Sequence, residues 1–275
     1  MDDRPLPRGE LSGRVAVVVG GASGIGRSVA KAIARQGARV VVADFDSARL
    51  NRTLEEILHL GSSDAALALP TDIRSDAAVR SLSRDSIKAM GRVDILLNMA
   101  GVLLQGRLDR ITSSDWSWML ETNLLGAVRT TNAFLPHMQE RGSGHIVNAI
   151  PFGGLAPGDP MSIAYDSGYA ALAAFTRSLA REMRGTKVHV SVLCIGSSGP
   201  RIGQNTRSRG MGRLLHPNQG LEEGSPASGR LVDSLIDALH RPRFLILADP
   251  DDATLLRRRW EEMDPGESHV TTAAR

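Results

Sequence analysis

The stretch VVVGGASGIGRSVAKAIARQG, residues 17–37, joins an apolar run of valines to a segment whose apolar residues recur with helical spacing. Gly20, Gly24 and Gly26 lie directly after the predicted strand and at the start of the predicted helix. The free backbone N–H groups of a helix N-terminus suit a pyrophosphate, and glycine lets the ligand approach because it has no Cβ. A glycine-rich turn alone is weak evidence for a nucleotide site, and the surrounding sequence has to be considered.

Six further apolar runs follow this first strand, and the stretches between the earlier runs are long enough for helices. The seven runs are RVAVVV (14–19), ARVVVA (38–43), AALALP (65–70), VDILLN (93–98), HIVNAI (145–150), VHVSVLC (188–194) and RFLILA (243–248). Near-continuous apolar strands that alternate with helices are typical of a parallel sheet covered by helices on both faces. The sequence therefore predicts an α/β fold with about seven parallel strands.

The length of 275 residues and the hydrophobic content of 42% suffice for one large α/β domain. We expect a single domain over residues 1–263. Polar residues, glycines and prolines predict a long loop at 197–228, before the last helix and strand, and a polar tail at 264–275.

Composition and charge argue against several functions. The net charge of +3 is small and the arginines are scattered, so we expect no nucleic acid partner. The first ten residues, MDDRPLPRGE, contain no apolar segment, so we expect neither a signal peptide nor a membrane span, and a cytoplasmic location. The single cysteine, Cys194, allows no internal disulfide and no zinc cluster, and we expect no metal site.

Asp44 lies at the end of the second predicted strand, eighteen residues after Gly26. A carboxylate at this position can accept hydrogen bonds from both hydroxyls of an adenosine ribose. It would also repel a 2′-phosphate, and the glycine turn itself contains no basic residue. The sequence therefore predicts that NAD(H) is preferred over NADP(H).

From about Leu11 to Cys194 the chain resembles the short-chain dehydrogenase/reductase family. The resemblance rests on GGASGIG (20–26), TDI (71–73), NMAG (98–101), TNLLGAV (122–128) and GHIVN (144–148), in the order that the family shows. It implies a Rossmann-type, doubly wound sheet and an oxidoreductase that acts on a small molecule. The cofactor-binding residues that it implies are Gly20, Ser23, Gly24, Ile25, Gly26, Asp44, Asp72, Ile73, Asn98, Ala100, Gly101, Tyr165 and Tyr169.

The family's catalytic positions are only partly retained. By resemblance, Asn123 matches the catalytic asparagine and Tyr165, in AYDSGYAALAAFTRSLA (164–180), matches the catalytic tyrosine. The family has a lysine four residues after that tyrosine, where this chain has Tyr169. The family's serine on the preceding strand is replaced by Pro151 or Phe152, and neither carries a hydroxyl group.

These replacements have a chemical cost. A tyrosine normally titrates near pH 10, and the family's lysine lowers that pKa with its positive charge. Because Tyr169 has no charge, we expect Tyr165 to be disfavoured as a general base by several kcal/mol. As a proton donor Tyr165 loses less, although the missing serine hydroxyl removes roughly a hundredfold of transition-state stabilisation.

Three functions remain open at this point. The first is an atypical NAD(H)-dependent oxidoreductase with Tyr165 as proton donor and with Asn123 and Tyr169 in the site. The second is a non-redox enzyme that catalyses dehydration, cyclisation or isomerisation. The third is a non-catalytic NAD-binding or partner subunit. By resemblance, the helices near 113–141 and 160–184 join subunits into a homodimer or homotetramer.

Some charged and aromatic residues are expected to have structural roles. We expect Asp166 to be a solvated or interface carboxylate, because it follows Tyr165 and points to another helical face. We expect Arg201, Arg207, Arg209 and Arg213, in the segment 200–217, to belong to a flexible, solvated lid; the alternative is a site that recruits an acidic substrate. Trp116 and Trp118 are interpreted as packing or subunit-contact residues.

Overall fold

The computed structural model describes residues 11–60, 66–156, 159–196, 206–210 and 226–262. Its strands are Val15–Val19 (β1), Arg39–Asp44 (β2), Ala66–Pro70 (β3), Ile95–Asn98 (β4), Leu103–Gly106 (β5), Gly144–Pro151 (β6), Val188–Ile195 (β7), Thr206–Arg209 (β8) and Leu245–Ile246 (β9). Its α-helices are Gly24–Arg35 (α1), Ser47–Leu58 (α2), Asp76–Met90 (α3), Ser113–Leu120 (α4), Gly126–Glu140 (α5), Phe152–Leu155 (α6), Ile163–Glu182 (α7), Pro226–His240 (α8) and Pro250–Glu262 (α9). A π-helical turn, Glu121–Leu125, joins α4 to α5.

Seven strands form one parallel sheet in the order β3-β2-β1-β4-β6-β7-β9. The chain runs from β1 outward to β3 and then returns to place β4 on the other side of β1. The carboxyl ends of β1 and β4 therefore flank the point where the strand order reverses, which is where ligands bind in such sheets. The predicted doubly wound sheet of about seven strands is confirmed.

The sheet is buried on both faces. In β1, Ala16 and Val18 pack on the face that carries α1 and α8. Val17 and Val19 pack on the opposite face, where Leu82 of α3 and Phe134 of α5 cover the strand. This double burial explains why the strands appear in the sequence as continuous apolar runs.

A buried polar ladder crosses the centre of the sheet. The Asn98 Nδ2 atom at the end of β4 donates to Asn148 Oδ1 on β6 at 2.8 Å. Asn148 Nδ2 in turn donates to the Thr176 hydroxyl on α7 at 2.8 Å. Thr130 on α5 donates to Asn98 Oδ1 at 2.7 Å. The ladder therefore fixes β4, β6, α5 and α7 to one another through fully satisfied buried groups.

The loop expected at 197–228 contains regular structure that the sequence did not indicate. Within it, β8 pairs in parallel with β5 and forms a second, two-stranded sheet. The last residues of the expected loop also include the start of α8 at Pro226. The rest of the expected loop and the expected tail at 264–275 lie outside the described residues.

In the described part of the chain, no helix combines the length and the apolar character that crossing a bilayer requires. The same residues contain no group of three histidine, cysteine or acidic side chains that could hold a metal ion. Cys194 is buried, and burial raises the pKa of its thiol to about 12.

Candidate active site

The glycine turn after β1 brings backbone close to backbone. Gly20 has a φ of +81°, and a Cβ on it would lie 2.5 Å from the backbone nitrogen of Ala100. A Cβ on Gly26 would collide with the carbonyl oxygen of Gly20. Gly24 differs, because its φ is +51° and no heavy atom lies within 4 Å of the place where its Cβ would be. The turn is therefore closed at Gly20 and Gly26 and open at Gly24, where α1 begins.

Asp44 ends β2 beside this turn. Its Oδ2 atom accepts a hydrogen bond from the backbone N–H of Ala22 at 3.2 Å, and its Oδ1 atom accepts one from Asp46 at 3.2 Å. Burial raises the pKa of Asp44, and these backbone donors oppose that rise. The carboxylate is thus held next to the open end of the glycine turn.

One cleft of about 840 Å³ runs along the carboxyl ends of the strands. Most of the residues that the resemblance implied line this cleft. They are Gly20, Ser23, Gly24, Ile25, Gly26, Asp44, Asp72, Ile73, Ala100, Gly101, Tyr165 and Tyr169. Asn98 and Asn123 are not among the lining residues, because Asn98 belongs to the polar ladder and the side chain of Asn123 is bound to backbone.

Asn123 lies in the π-helical turn and is 1% exposed. Its Oδ1 atom accepts from the backbone N–H of Val102 at 2.8 Å, and its Nδ2 atom donates to the carbonyl of Val102 at 2.8 Å. This paired contact fixes the backbone just after the NMAG turn. Single π-helical turns inside α-helices are frequent at functional sites.

Asp72 lies at the opening of the cleft with its side chain 43% exposed. Arg74 donates to both of its carboxylate oxygens, at 2.9 Å and 2.7 Å, and lowers the pKa of Asp72. Arg27, Arg49 and Arg52 also line the cleft, although the glycine turn itself contains no basic residue. The sequence motifs did not indicate this group of four arginines, Arg27, Arg49, Arg52 and Arg74. Three of its four members are paired with acids: Arg27 with Glu56, Arg49 with Asp46 and Arg74 with Asp72.

Tyr165 and Tyr169 lie together at the other end of the cleft. Their ring centroids are 4.8 Å apart and the ring planes cross at 70°. The side chains are 7% and 4% exposed, and burial raises the pKa of both phenols, that of Tyr165 well above 10. The neighbouring Tyr169 raises the pKa of Tyr165 further, whereas the contact with Tyr165 opposes the rise at Tyr169. The Tyr169 hydroxyl packs against Gly101, where a Cβ would overlap it.

The alternative between Pro151 and Phe152 can be decided from their surroundings. Pro151 ends β6 and lines the cleft together with the two tyrosines. Phe152 starts α6 and packs in a separate cluster with Cys194 and Leu256. The Arg259 guanidinium lies 5.0 Å from the centroid of its ring. Of these two residues, Pro151 is therefore the one that lines the cleft.

Trp118 lines the cleft and is not only a packing residue, which corrects the interpretation from sequence. The guanidinium of Arg207 lies 4.0 Å from the centroid of its ring. Arg207 and Arg209 were expected to be solvated in a flexible lid, but both are ion-paired to Asp115, at 3.3 Å and 2.7 Å. Arg201 and Arg213 lie outside the described residues. The contacts to Asp115 span about ninety residues, so no local sequence pattern indicated them.

Asp166 is 5% exposed, so it is not the solvated carboxylate that was one of its two expected states. The short helix α6 packs on α7, and the Asp166 carboxylate lies against Gly153, where a Cβ would overlap it. The two glycines at 153 and 154 permit this close approach. They were the available signal that the helix surface around Asp166 is covered.

Comparison with known proteins shows that the chain is similar to short-chain dehydrogenases. A family model described as short chain dehydrogenase matches residues 14–209. The chain is 31% identical over 186 residues to the ketoacyl reductase HetN of Nostoc sp., which covers 68% of this chain and 64% of HetN. It is 30% identical over 190 residues to the 2,3-dihydro-2,3-dihydroxybenzoate dehydrogenase of Bacillus subtilis, which covers 68% of this chain and 71% of that enzyme.

Two solved structures are also similar. A short-chain dehydrogenase/reductase from Burkholderia phymatum in complex with NAD superimposes with a TM-score of 0.81 at 28% identity, over 93% of this chain and 96% of that one. A variant of an actinorhodin polyketide ketoreductase with NADPH gives a TM-score of 0.63 at 32% identity, over 66% of this chain and 69% of that one. The family model covers far more than half of the chain, and the sheet order agrees with the fold. This chain belongs to the short-chain dehydrogenase/reductase family.

Proposed function

We propose that this protein is an atypical NAD(H)-dependent oxidoreductase that acts on the carbonyl or alcohol group of a small organic molecule. The observation that carries the proposal is the cleft that, in the described part of the chain, extends from the glycine turn and Asp44 to Tyr165. Membership of an oxidoreductase family supports it, as does the NAD-bound structure of the Burkholderia phymatum relative. A cleft filled by protein side chains would instead have supported a non-catalytic subunit.

The residues present fit a dinucleotide. Gly24 leaves room for a phosphate at the start of α1, and the first turn of this helix contains no acidic side chain that would repel it. In our proposal the adenosine ribose is held by Asp44, the adenine end by Asp72 and Ile73, and the phosphates by the turn from Gly20 to Gly26. When bound, NAD(H) supplies or accepts the hydride. In our proposal NAD(H) is preferred over NADP(H), because the Asp44 carboxylate would repel a 2′-phosphate, while three of the four lining arginines are paired with acids.

Tyr165 is suited to donate a proton and unsuited to accept one. Its raised pKa keeps the phenol protonated at neutral pH, so it can donate to a carbonyl oxygen that is being reduced. Alcohol oxidation requires a base at the same place, and the phenolate is scarce. We therefore expect carbonyl reduction to be the faster direction near neutral pH.

In this proposal the family's serine and lysine are functionally lost. Pro151 offers no hydroxyl to the substrate oxygen, and the neutral Tyr169 cannot lower the pKa of Tyr165. Asn123 serves to position the backbone at Val102 beside Tyr169, since both ends of its amide are bound there. The expected enzyme is therefore slow compared with a relative that has the complete set.

A non-redox reaction is the second candidate, and the state of the two phenols favours it. Two protonated tyrosines next to each other can polarise a carbonyl or deliver a proton without any hydride transfer, as dehydration, cyclisation or isomerisation requires. Conversion of a substrate by the wild type with no change in nicotinamide absorbance would favour this candidate over the first.

Titration with NAD⁺, NADH, NADP⁺ and NADPH by calorimetry tests the cofactor assignment. We expect NADH to bind in the micromolar range and more tightly than NADPH. Asp44→Ala should weaken NADH roughly ten- to a hundredfold, because a charged acceptor for two hydroxyls is removed. Asp46→Ala is the matched control: it removes the same charge two residues away and costs the N-cap of α2, but no ribose acceptor. Failure of the wild type to bind any dinucleotide would refute the proposal.

We also propose a homodimer or homotetramer, assembled through the outer faces of α5 and α7. Leu125, just before α5, and Ile163, the first residue of α7, are 37% and 39% exposed, which suits an apolar contact between subunits. Light scattering coupled to size-exclusion chromatography measures the assembly, and a monomer at micromolar concentration would contradict it.

A further inference from the structure

We propose that Arg207 is a positioning residue that holds the Trp118 indole as a wall of the cleft, and that this wall selects aromatic over aliphatic carbonyl substrates. The proposal rests on the proposed function for the site of reaction. It adds a substrate class and a residue outside the family's motifs to that function.

The first step is the anchor at Asp115. This carboxylate lies in the first turn of α4 and its side chain is 1% exposed. It accepts from the Thr112 hydroxyl at 2.8 Å, from Arg209 Nε and Nη2 at 2.8 Å and 2.7 Å, and from Arg207 Nη1 at 3.3 Å. The pairing is geometrically specific, because the fork of Arg209 matches both carboxylate oxygens. The anchor ties β8 to the helix that carries Trp118.

The second step runs from the anchor to the cleft. The backbone of Arg207 pairs with Leu104 in the β5–β8 ladder, and its Nη1 atom donates to Asp115. The residue is therefore held both at its backbone and at its guanidinium group. Its central carbon lies 4.0 Å from the centroid of the Trp118 ring. Such a contact is attractive and favours one orientation of the ring. The indole is also half-buried against the cluster of Val102, Leu104, Met119 and Ala164. Trp118 is thus held from two sides, with part of its surface in the cleft.

The third step is the chemistry of the reacting end of the cleft. Val102, Pro151 and Ile195 line the same cleft as Trp118, Tyr165 and Tyr169, and Trp118 packs on the cluster that contains Val102 and Ala164, the residue before Tyr165. Asp115 is shared between Arg207 and Arg209, so these three side chains together keep one net positive charge, and the selection proposed here concerns neutral carbonyl substrates. Flat, apolar surfaces complement an aryl group, because offset and edge-to-face ring contacts add to the area that is buried.

The test compares acetophenone with 2-butanone as probes for the wild type in the presence of NADH. Competition binding followed by ligand-observed NMR gives both affinities without requiring turnover, and initial rates give KM and kcat where reduction occurs. We expect the wild type to bind acetophenone at least about tenfold more tightly than 2-butanone. Arg207→Met should reduce this ratio about three- to tenfold, through KM rather than kcat, and should leave NADH affinity unchanged. Arg207→Lys should restore the ion pair with Asp115 but only part of the ratio, because a lysine lacks the planar group that stacks on the indole.

Arg209→Met is the matched control. It removes the stronger ion pair with Asp115, so it should lower stability, but Arg209 does not stack on Trp118, so the ratio should be retained. Equal loss of the ratio in Arg207→Met and Arg209→Met would show a general loosening of β8 and overturn the proposal. Absence of any acetophenone preference in the wild type would also overturn it. The two affinities are also measured without NADH, so they decide this proposal separately from NADH binding and redox turnover, whose failure would refute the proposed function instead.

Discussion

Replacing Tyr169 with lysine tests whether the missing cation explains the state of Tyr165. The chain contains only two tyrosines, so Tyr165 is the single tyrosine both in Tyr169→Lys and in the control Tyr169→Phe. Its ionisation can therefore be followed directly from tyrosinate absorbance in the near ultraviolet. The phenylalanine control retains the ring that packs at this position and lacks both the hydroxyl and the charge.

The size of the effect follows from the distance between the two side chains. The rings of Tyr165 and Tyr169 are 4.8 Å apart, so a lysine ammonium in place of Tyr169 can be expected at a similar distance from the Tyr165 phenol. With an effective dielectric constant of about 20, a unit charge at this distance stabilises the phenolate by roughly 3 kcal/mol. This corresponds to a pKa about two units lower, and to a phenolate fraction about a hundredfold higher at the same pH.

The expected titrations differ in shape as well as in midpoint. Burial raises the pKa of Tyr165 above its unfolded value of 10, so in Tyr169→Phe the protonated phenol contributes stability that is present below pH 10 and is lost as the pH rises further. Tyrosinate absorbance in this control should therefore appear together with loss of far-ultraviolet circular dichroism. In Tyr169→Lys it should appear at lower pH, before the fold is lost. Coincident titrations of the two folded variants would refute the electrostatic explanation.

Adding Pro151→Ser to Tyr169→Lys extends the test to activity. If the two replacements alone explain the incomplete site, the double variant should reduce generic ketones faster than the wild type, because both the activating charge and the second donor are restored. An unchanged rate, with bound cofactor and an intact fold, would contradict that explanation.

Three further predictions concern the cofactor turn and the stability of the fold. Gly24→Ala should lower the free energy of unfolding by about 1 kcal/mol, because its φ is positive, and should weaken NADH binding measured by calorimetry. Gly142→Ala, with a φ of +64° and nothing within 4 Å of the added Cβ, should show the loss of stability alone. Equal NADH affinities of the two variants would contradict this. Burial lowers the pKa of His145 to about 3, so the stability of the wild type should be full above pH 6.5 and fall by roughly 1.4 kcal/mol for each pH unit between 6.5 and 3. Urea unfolding of His145→Gln should show a weaker pH dependence, and parallel curves would count against the assignment. Asn148→Ala should lower the free energy of unfolding by about 2–4 kcal/mol, because it breaks the buried ladder. The control Asn51→Ala, at an exposed position, should change it little. Similar changes in the two variants would refute the role of the ladder.

The sheet could be predicted from the sequence because each of its strands is buried on both faces. A strand such as VAVVV has five buried residues in a row, and such an apolar run can be recognised in the sequence without knowing which strands and helices lie beside it. The strands β5 and β8, LLQG and TRSR, carry no such signal. They are short, β8 is polar, and each is stabilised by a partner that lies about one hundred residues away.

The site could be predicted as far as local motifs reach. The glycine turn, Asp44 and the tyrosine pair all line the cleft that the sequence indicated. The contribution of Trp118 depends on Arg207, and that of Arg207 depends on Asp115, so this part of the cleft follows from tertiary contacts. The π-helical turn around Asn123 likewise has no recognised sequence pattern, since it arises from how α4 and α5 join.

The polar ladder through Asn98, Asn148 and Thr176 has a consequence for synthesis of the chain. During translation the strands that contain both asparagines leave the ribosome before Thr176, so a nascent chain that ends ahead of α7 has no acceptor for the Asn148 amide. Docking β6 at that stage would bury an unpaired donor, at a cost of about 1–3 kcal/mol. We therefore expect the centre of the sheet to become stable only after α7 has emerged, so that the second half of the molecule governs when the first half can fold.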